Sequence, residues 1–269
     1  MLRDITLGQY FPGDTVVHRL DPRTKILMVI VYIAALFIAQ NFVSYGLLFL
    51  FLVVSVRLSK VGAKAVLRGM KPVLFILIFT GVLNLFYNST GTLLWEWGFL
   101  HITTGGIRTA FFMVVRIMML ITGTFLMTYT TSPILLTDGL ESLLSPLKRL
   151  HAPVHELAMM MSIALRSIPT LIEETDKIMN AQKARGADFD SGNLIQKAKA
   201  LVPLLVPLFV SAFRRADELA TAMECRCYHG GEGRTRMRQL AYARIDAVTF
   251  AIGGGLLVAV SVLALGFGL

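Results

Sequence analysis

Long apolar runs alternate with short clusters of cations along the first half of the chain. Residues 26–56 contain no charged side chain. At about 1.5 Å per residue, that length exceeds one crossing of a ~30 Å hydrocarbon layer. Gln40 and Asn41 lie near the middle and predict a turn between two spanning helices. We expect the first of these helices to begin at Asp21-Pro22, because Asp caps helices and Pro suits the first helical position.

Three further apolar segments predict three more spanning helices. They are Pro72 to about Tyr87, Ile107 to Tyr129 and Ala247 to Leu269. Arg116 is the one charge well inside such a segment. An intramembrane cation is a functional candidate by default, and the plainer alternative is a structural pairing with hydroxyls or backbone carbonyls of a neighbouring helix.

Composition supports a membrane protein. Of 269 residues, 55% are hydrophobic and 16% are charged, and mean hydropathy is +0.66. The net charge of +9 is better explained by an anionic membrane surface than by nucleic acid. Cations concentrate in residues 57–71, whereas the turn at 40–41 has no charge and 88–106 has only Glu96. By the positive-inside rule, the N-terminus and residues 57–71 face the cytoplasm and the C-terminus lies outside.

The segment 130–246 is predicted to be cytoplasmic and helical. Helices are expected at Pro133–Leu150, interrupted at Pro146, then at about 157–184 and about 194–227. Two uncharged stretches, 157–165 and 200–213, are unusual for a soluble region. Either they lie at the membrane face or against an apolar partner, or they form an ordinary buried core.

An internal echo links two of these helices. The sequence from Ala181 to Gly186 resembles that from Ala222 to Cys227 at an offset of 41 residues. Each segment ends on a small residue, an arginine and another small residue, so each guanidinium is unobstructed. Because arginine matches carboxylates in two-point geometry, the two ends could dock into two similar acidic grooves. The alternative is that the arginines only complement the helix dipole.

Several chemistries lack their motifs. There is no G-x-x-x-x-G-K-[ST] phosphate loop and no H-E-x-x-H zinc motif. His151 and His155 are separated by Pro153, which argues against a metal pair on one helix face. Cys225 and Cys227 have no second pair to complete a zinc site, and they are read as free thiols.

Four stretches resemble the transmembrane T-component of energy-coupling factor transporters. They are residues 8–25 (GQYFPGDTVVHRLDPRTK), 130–133 (TTSP), 165–188 (including LRSIPTL and KIMNAQKARGAD) and 222–235 (AMECRCYHGGEGRT). Together they extend over nearly the whole chain. The third and fourth look most like the version that serves several substrate-binding subunits in turn.

The resemblance implies an all-α membrane protein with about five transmembrane helices plus a cytoplasmic or membrane-face set of long coupling helices. It implies a division into a membrane part at 1–130, a coupling domain at 131–246 and a last span at 247–269. The chain would be a non-catalytic subunit in the bacterial cell membrane. It would link two ABC ATPases, expected to be a heterodimer, to one interchangeable S-component at a time, so that ATP drives the uptake of vitamins or related micronutrients.

The family's small-Arg-Gly motif places ATPase docking at Ala184, Arg185 and Gly186, and at Cys225, Arg226 and Cys227. Cys227 stands where the family has Gly, which disfavours a left-handed turn there. A platform for the S-component is expected at Met159, Met160, Met161, Leu204, Leu205, Leu208 and Phe209. No cofactor is expected on this chain, since the partner ATPases use the ATP. The competing classes are an intramembrane enzyme and a self-sufficient carrier.

Overall fold

The computed structural model describes residues 10–87, 92–97, 100–150, 152–187, 189, 193–230 and 239–266. These residues fold mostly into helices joined by short connections. In chain order the helices are α1 (Val16–Arg19), α2 (Pro22–Ile38), α3 (Phe42–Ser59), α4 (Ala63–Tyr87), α5 (Thr104–Thr130), α6 (Pro133–Leu144), a 3-10 helix (Ser145–Leu150), α7 (Val154–Ala184), α8 (Leu194–Glu224) and α9 (Arg244–Gly266).

Among the described helices, four are long and apolar enough to cross a membrane, namely α3, α4, α5 and α9. The sequence predicts about five crossings. The fifth candidate is α2, whose 17 residues extend about 25 Å, slightly less than the hydrocarbon thickness. Its start is confirmed, because Asp21 accepts a hydrogen bond from the Arg23 backbone N–H at 2.9 Å and Pro22 follows as the first helical residue. The turn at Gln40-Asn41 is also confirmed.

The predicted start of α4 at Pro72 is wrong, because the helix begins at Ala63 and contains Pro72. Proline removes only its own backbone donor and disturbs one preceding turn. Packing holds the helical turns that precede Pro72. Val66 and Met70 are buried against Tyr129, whose hydroxyl donates to the Ala65 carbonyl at 3.3 Å. The cationic connection therefore becomes largely a helix.

An antiparallel hairpin connects α4 and α5, and the sequence analysis did not predict it. Its strands are β1 (Leu93–Trp97) and β2 (Leu100–Thr103). Leu93 pairs with Thr103 and Trp97 with Leu100, with a register irregularity between Leu93 and Trp95. Apart from this hairpin, the all-α class of the prediction is confirmed.

The described residues divide into two compact units. One contains those between 140 and 239. The other contains those up to 139 together with those from 240 onward, so α9 joins the helices α2 to α5. Asp246 connects the start of α9 to the residue that precedes α2. Its carboxylate accepts from the backbone N–H of Asp21 at 3.0 Å and of Ala243 at 2.8 Å.

The core of this second unit lies among α2, α3, α5 and α9. Gly123 allows α5 to approach α2 closely, because a Cβ there would lie 2.8 Å from the Tyr32 ring. The buried apolar residues of this core are Tyr32, Ala35, Leu36, Ala39, Tyr45, Leu48, Leu52, Met119, Leu256 and Val260.

The unit between 140 and 239 consists mainly of α7 and α8. The predicted interruption at Pro146 is confirmed, because α6 ends at Leu144 and a 3-10 helix begins at Ser145. Both long helices contain prolines, Pro169 in α7 and Pro203 and Pro207 in α8, and continue past them.

Candidate functional site: two arginine-tipped helices

The C-terminus of α7 closes in a Schellman turn. The Gly186 N–H donates to the Lys183 carbonyl at 3.0 Å, and the Ala187 N–H donates to the Gln182 carbonyl at 3.0 Å. This turn requires a left-handed residue after the helix, and Gly186 supplies it with φ of 86°. Glycine adopts that conformation without steric cost.

The C-terminus of α8 repeats this turn 41 residues later. The Cys227 N–H donates to the Glu224 carbonyl at 2.8 Å, and the Tyr228 N–H donates to the Met223 carbonyl at 3.1 Å. Here the left-handed residue is Cys227, with φ of 55°. The backbone therefore keeps the turn although glycine is absent, at a steric cost of roughly 1–2 kcal/mol.

Both turns present an exposed arginine between two small residues. Arg185 follows Ala184 and precedes Gly186, and Arg226 lies between Cys225 and Cys227; all six residues are exposed. Among the described residues, no carboxylate pairs with either guanidinium. A matched pair of unpaired guanidiniums is available for an acidic partner.

The two helices contact each other at Glu174 of α7. Its carboxylate accepts hydrogen bonds from Ser211 and, at 2.8 Å, from the Arg215 guanidinium. The Ser211 hydrogen bond, followed by the hydrogen bond and charge of Arg215, outweighs desolvation and holds the pKa of Glu174 below its ordinary value. Glu174 and Arg215 stand at the same 41-residue offset as the two tips.

The contacts also fix the direction of the two helices. Glu174 meets Ser211, and further along α7 the Gln182 amide donates to the Pro203 carbonyl at 3.3 Å. Residue numbers rise along α7 as they fall along α8, so the helices run in opposite directions. Arg185 and Arg226 therefore lie at opposite ends of the pair. Arg185 lies eleven residues beyond Glu174 along α7, and Arg226 lies eleven residues beyond Arg215 along α8. Each of these lengths of helix is about 16 Å.

The predicted platform residues divide by exposure. Met160, Met161, Leu205 and Phe209 are exposed, Met159 and Leu208 are half-buried, and Leu204 is buried. Leu204 is therefore not available at the surface for a partner.

An apolar stripe surrounds the exposed members of this set. Phe209 is 60% exposed and Phe213 69% exposed, and they belong to a row at helical spacing along α8. On α7, Leu157, Met160 and Met161 are each more than half exposed. These stretches are thus not the ordinary core that was the alternative interpretation. The α8 row is Leu201, Val202, Leu205, Val206, Phe209, Val210 and Phe213.

The remaining chemical candidates have structural partners or lie outside the described residues. The His155 ring bonds the Glu141 carboxylate at 3.0 Å, and His151 is not described. No group of three metal-binding side chains occurs in the part of the chain that the structure describes. Cys225 and Cys227 are free thiols.

Sequence reasoning missed the Glu174–Arg215–Ser211 contact. The 41-residue echo held a usable signal, since it aligns an acid with a base at that offset. An acid on one helix and a base at the echoed position of the other can form an ion pair where two antiparallel helices cross.

The amino-acid sequence of this chain is similar to those of proteins described as components of membrane transporters. Residues 13–237 match the family described as "CbiQ: Cobalt transport protein". An energy-coupling factor transporter transmembrane protein EcfT from Ruminiclostridium cellulolyticum is 56% identical over 252 residues, covering 94% of each chain. Proteins of the same description from Thermosediminibacter oceani and Bacillus subtilis are 55% and 50% identical. The first alignment covers 98% of both chains, and the second covers 91% of this chain and 93% of the relative.

Proposed function

The chain belongs to the EcfT family of energy-coupling factor transporter transmembrane proteins, and from this premise we propose that it couples two ABC ATPases to a substrate-binding S-component. The observation that carries the proposal is the matched pair of helix ends. Each presents an exposed, unpaired arginine on the same backbone turn. One chain with two similar cationic tips suits two similar acidic grooves, one on each ATPase.

The separation of the tips supports two docking partners rather than one. Since α7 and α8 run in opposite directions, the tips point away from their common contact. With about 16 Å of helix on each side, a single groove would not hold both arginines. ATP binding and hydrolysis by the ATPases would move the tips relative to each other, and the helices would pass that movement to the S-component. This chain itself would hold no cofactor and catalyse no reaction.

The exposed apolar stripe of α8 is the proposed seat of the S-component. Its members need an apolar partner or the membrane, because a stripe this long is unfavourable in water. Flexible Met160 and Met161 on α7 would let the surface repack against different S-components. Leu204 is excluded from this seat by its burial.

The proposed orientation puts the N-terminus and the coupling helices in the cytoplasm of a bacterial cell, with the C-terminus outside. Cations at 57–71 and their absence from the 40–41 turn support this orientation. Vitamins or related micronutrients are the proposed substrates, selected by the S-component.

Charge reversal at each tip tests the proposal. We expect Arg185→Glu and Arg226→Glu each to abolish co-purification of the ATPases in mild detergent, or to uncouple ATP hydrolysis from substrate uptake. A charge-assisted contact contributes about 1.5–3 kcal/mol, and a carboxylate facing an acidic groove adds repulsion. Arg185→Ala should be milder, and Arg185→Lys should still lose activity because the planar fork is gone.

Arg214→Glu is the matched control. Arg214 is exposed on α8 and lies twelve residues before the tip, so its reversal should leave ATPase binding intact. Full transport by both tip variants would contradict the docking roles. ATP hydrolysis or vitamin binding by the purified chain alone would instead favour the enzyme or carrier class.

A further inference from the structure

A cleft opens in the unit that contains α2 to α5 and α9, at the place where α2 ends and α3 and α5 begin. Its volume is about 670 Å³. Two arginines, Arg108 and Arg116, line it together with Gln40, Asn41 and Thr109. None of the described residues that line it is acidic. The cleft therefore concentrates positive charge that none of its described lining residues balances.

Arg116 is held rigidly in this cleft. Its Nε donates to the Tyr45 hydroxyl at 2.8 Å, and a terminal nitrogen donates to the Ala39 carbonyl at 3.2 Å. The guanidinium carbon lies 5.7 Å from the centre of the Phe37 ring. These contacts fix the position of the group but carry no negative charge. Because an uncompensated cation in an apolar helix bundle is costly, the site favours an anion.

Arg108 provides the second cation, eight residues earlier on α5. It is exposed, and its guanidinium carbon lies 5.7 Å from the centre of the Phe112 ring. No carboxylate among the described residues pairs with Arg108 or with Arg116. The Arg108 guanidinium and the remaining N–H donors of Arg116 are thus available to a ligand in the cleft.

A helix N-terminus adds to this positive field. At the start of α3, Asn41 makes no side-chain capping hydrogen bond, and its amide instead donates to the Leu263 carbonyl at 3.3 Å. The first backbone N–H groups of α3 are therefore not capped by that side chain. Such groups and the helix dipole attract anions.

We propose that this cleft binds the phosphate of an anionic membrane lipid. Phosphate oxygens match the guanidinium fork in two-point geometry. The apolar lining residues Phe37, Phe112, Ile117 and Leu120 would contact the glycerol backbone and the first acyl carbons, which a free phosphate ion lacks. In the proposed orientation the lipid belongs to the outer leaflet, and only that leaflet assignment rests on the proposed function.

The test measures lipid retention by the transporter complex purified in mild detergent. Native mass spectrometry would compare phosphatidylglycerol with phosphatidylcholine added at equal concentration. We expect the wild-type complex to retain phosphatidylglycerol preferentially. Arg108→Gln should weaken retention about tenfold, which corresponds to one charge-assisted hydrogen bond. Arg116→Lys should also weaken it while keeping the charge, because the fork is lost.

Arg68→Gln is the matched control, since Arg68 is an exposed cation on α4 that does not line the cleft. Unchanged retention in this variant, with loss in Arg108→Gln, supports the lipid site. Equal retention of the two lipids, or retention unaffected by Arg108→Gln, overturns it. Inorganic phosphate that displaces phosphatidylglycerol at millimolar concentration would overturn the lipid source and assign the site to free phosphate.

Discussion

Lys25 shows how a single cation near the end of an apolar helix can be held by distant oxygens. The expectation from sequence is that such a lysine reaches to the membrane interface. Instead Lys25 is 7% exposed, and its ammonium donates to the Thr130 carbonyl at 2.8 Å and to the Thr131 hydroxyl at 3.2 Å. Those acceptors lie more than 100 residues away in sequence, so no local pattern indicates them. Burial of Lys25 joins α2 to the end of α5.

Lys25→Met should lower the free energy of unfolding by about 2–3 kcal/mol. The apolar side chain fills similar space but leaves buried acceptors unpaired, which costs about 1–3 kcal/mol in addition to the lost bonds. Thermal unfolding in detergent micelles measures the effect. Lys64→Met, an exposed cation on α4, is the control and should change the midpoint little. Equal midpoints for Lys25→Met and wild type would contradict the assigned role.

The left-handed residues at the two tips predict opposite responses to substitution. Gly186→Ala should destabilise the turn by about 1–2 kcal/mol, because an added Cβ disfavours positive φ. No neighbour lies within 4 Å of that Cβ, so the cost is purely conformational. Cys227→Gly should be neutral or stabilising by up to about 1 kcal/mol, since relief of strain is partly offset by glycine's unfolded-state entropy.

Thermal unfolding together with ATPase co-purification would check both substitutions. Gly254→Ala is the matched control, because Gly254 is helical, exposed and without close neighbours. It should be neutral or slightly stabilising. A Gly186→Ala protein as stable as Gly254→Ala would show that the turn is not required.

At the scale of elements, apolar length and capping chemistry predicted most of the fold. Charge-free runs, Asp21-Pro22 and the Gln40-Asn41 turn located α2 and α3 to within a few residues. The start of α4 was missed because proline is a local signal, whereas the packing of Val66 and Met70 against Tyr129 is not. For the candidate site too, the sequence indicated some features and the folded chain was needed for others. The echo located both arginine tips, but exposure separated Leu204 from its predicted neighbours only in the folded chain.

The contact between α7 and α8 predicts a measurable coupling between Glu174 and Arg215. Because Arg215 is 40% exposed, the pair should contribute about 1 kcal/mol or less. A double-mutant cycle with Glu174→Gln and Arg215→Gln would measure it by thermal unfolding of the purified complex. Glu173→Gln, an exposed neighbour, should show no coupling to Arg215→Gln. Additive effects of Glu174→Gln and Arg215→Gln would show that the contact between these two side chains does not contribute to stability.

The same pair predicts a pH dependence. The pKa of Glu174 is lowered in the folded protein, so its stabilisation is present above the unfolded-state pKa of about 4.3. That stabilisation is lost as pH falls through the lower folded-state value. The difference in unfolding free energy between wild type and Glu174→Gln should therefore be constant from about pH 6 to about pH 7 and should shrink below about pH 4. A difference that grew on acidification would contradict the assignment.

At the scale of the whole molecule, the distribution of charge predicts which segments each side of the membrane can reach. In a Cys225→Ser, Cys227→Ser background, a cysteine introduced by Gln40→Cys should react with a membrane-impermeant maleimide in intact cells. The native thiols, both exposed, should react only in inverted vesicles, and there only after the ATPases proposed to cover them are removed. Labelling of Cys225 and Cys227 from outside intact cells would invert the proposed topology.

The equal spacing of the two tips from the Glu174–Arg215 contact has a mechanical consequence. The two helices are held to each other at Glu174–Arg215 and again at Gln182–Pro203, so they would turn together as one rod with an equal length on each side of the Glu174–Arg215 contact. A rotation of about 10° about that contact would displace each tip by roughly 3 Å, with the rise per residue setting the length. The two displacements are then equal, so in the proposed complex neither docking partner would have a mechanical advantage over the other.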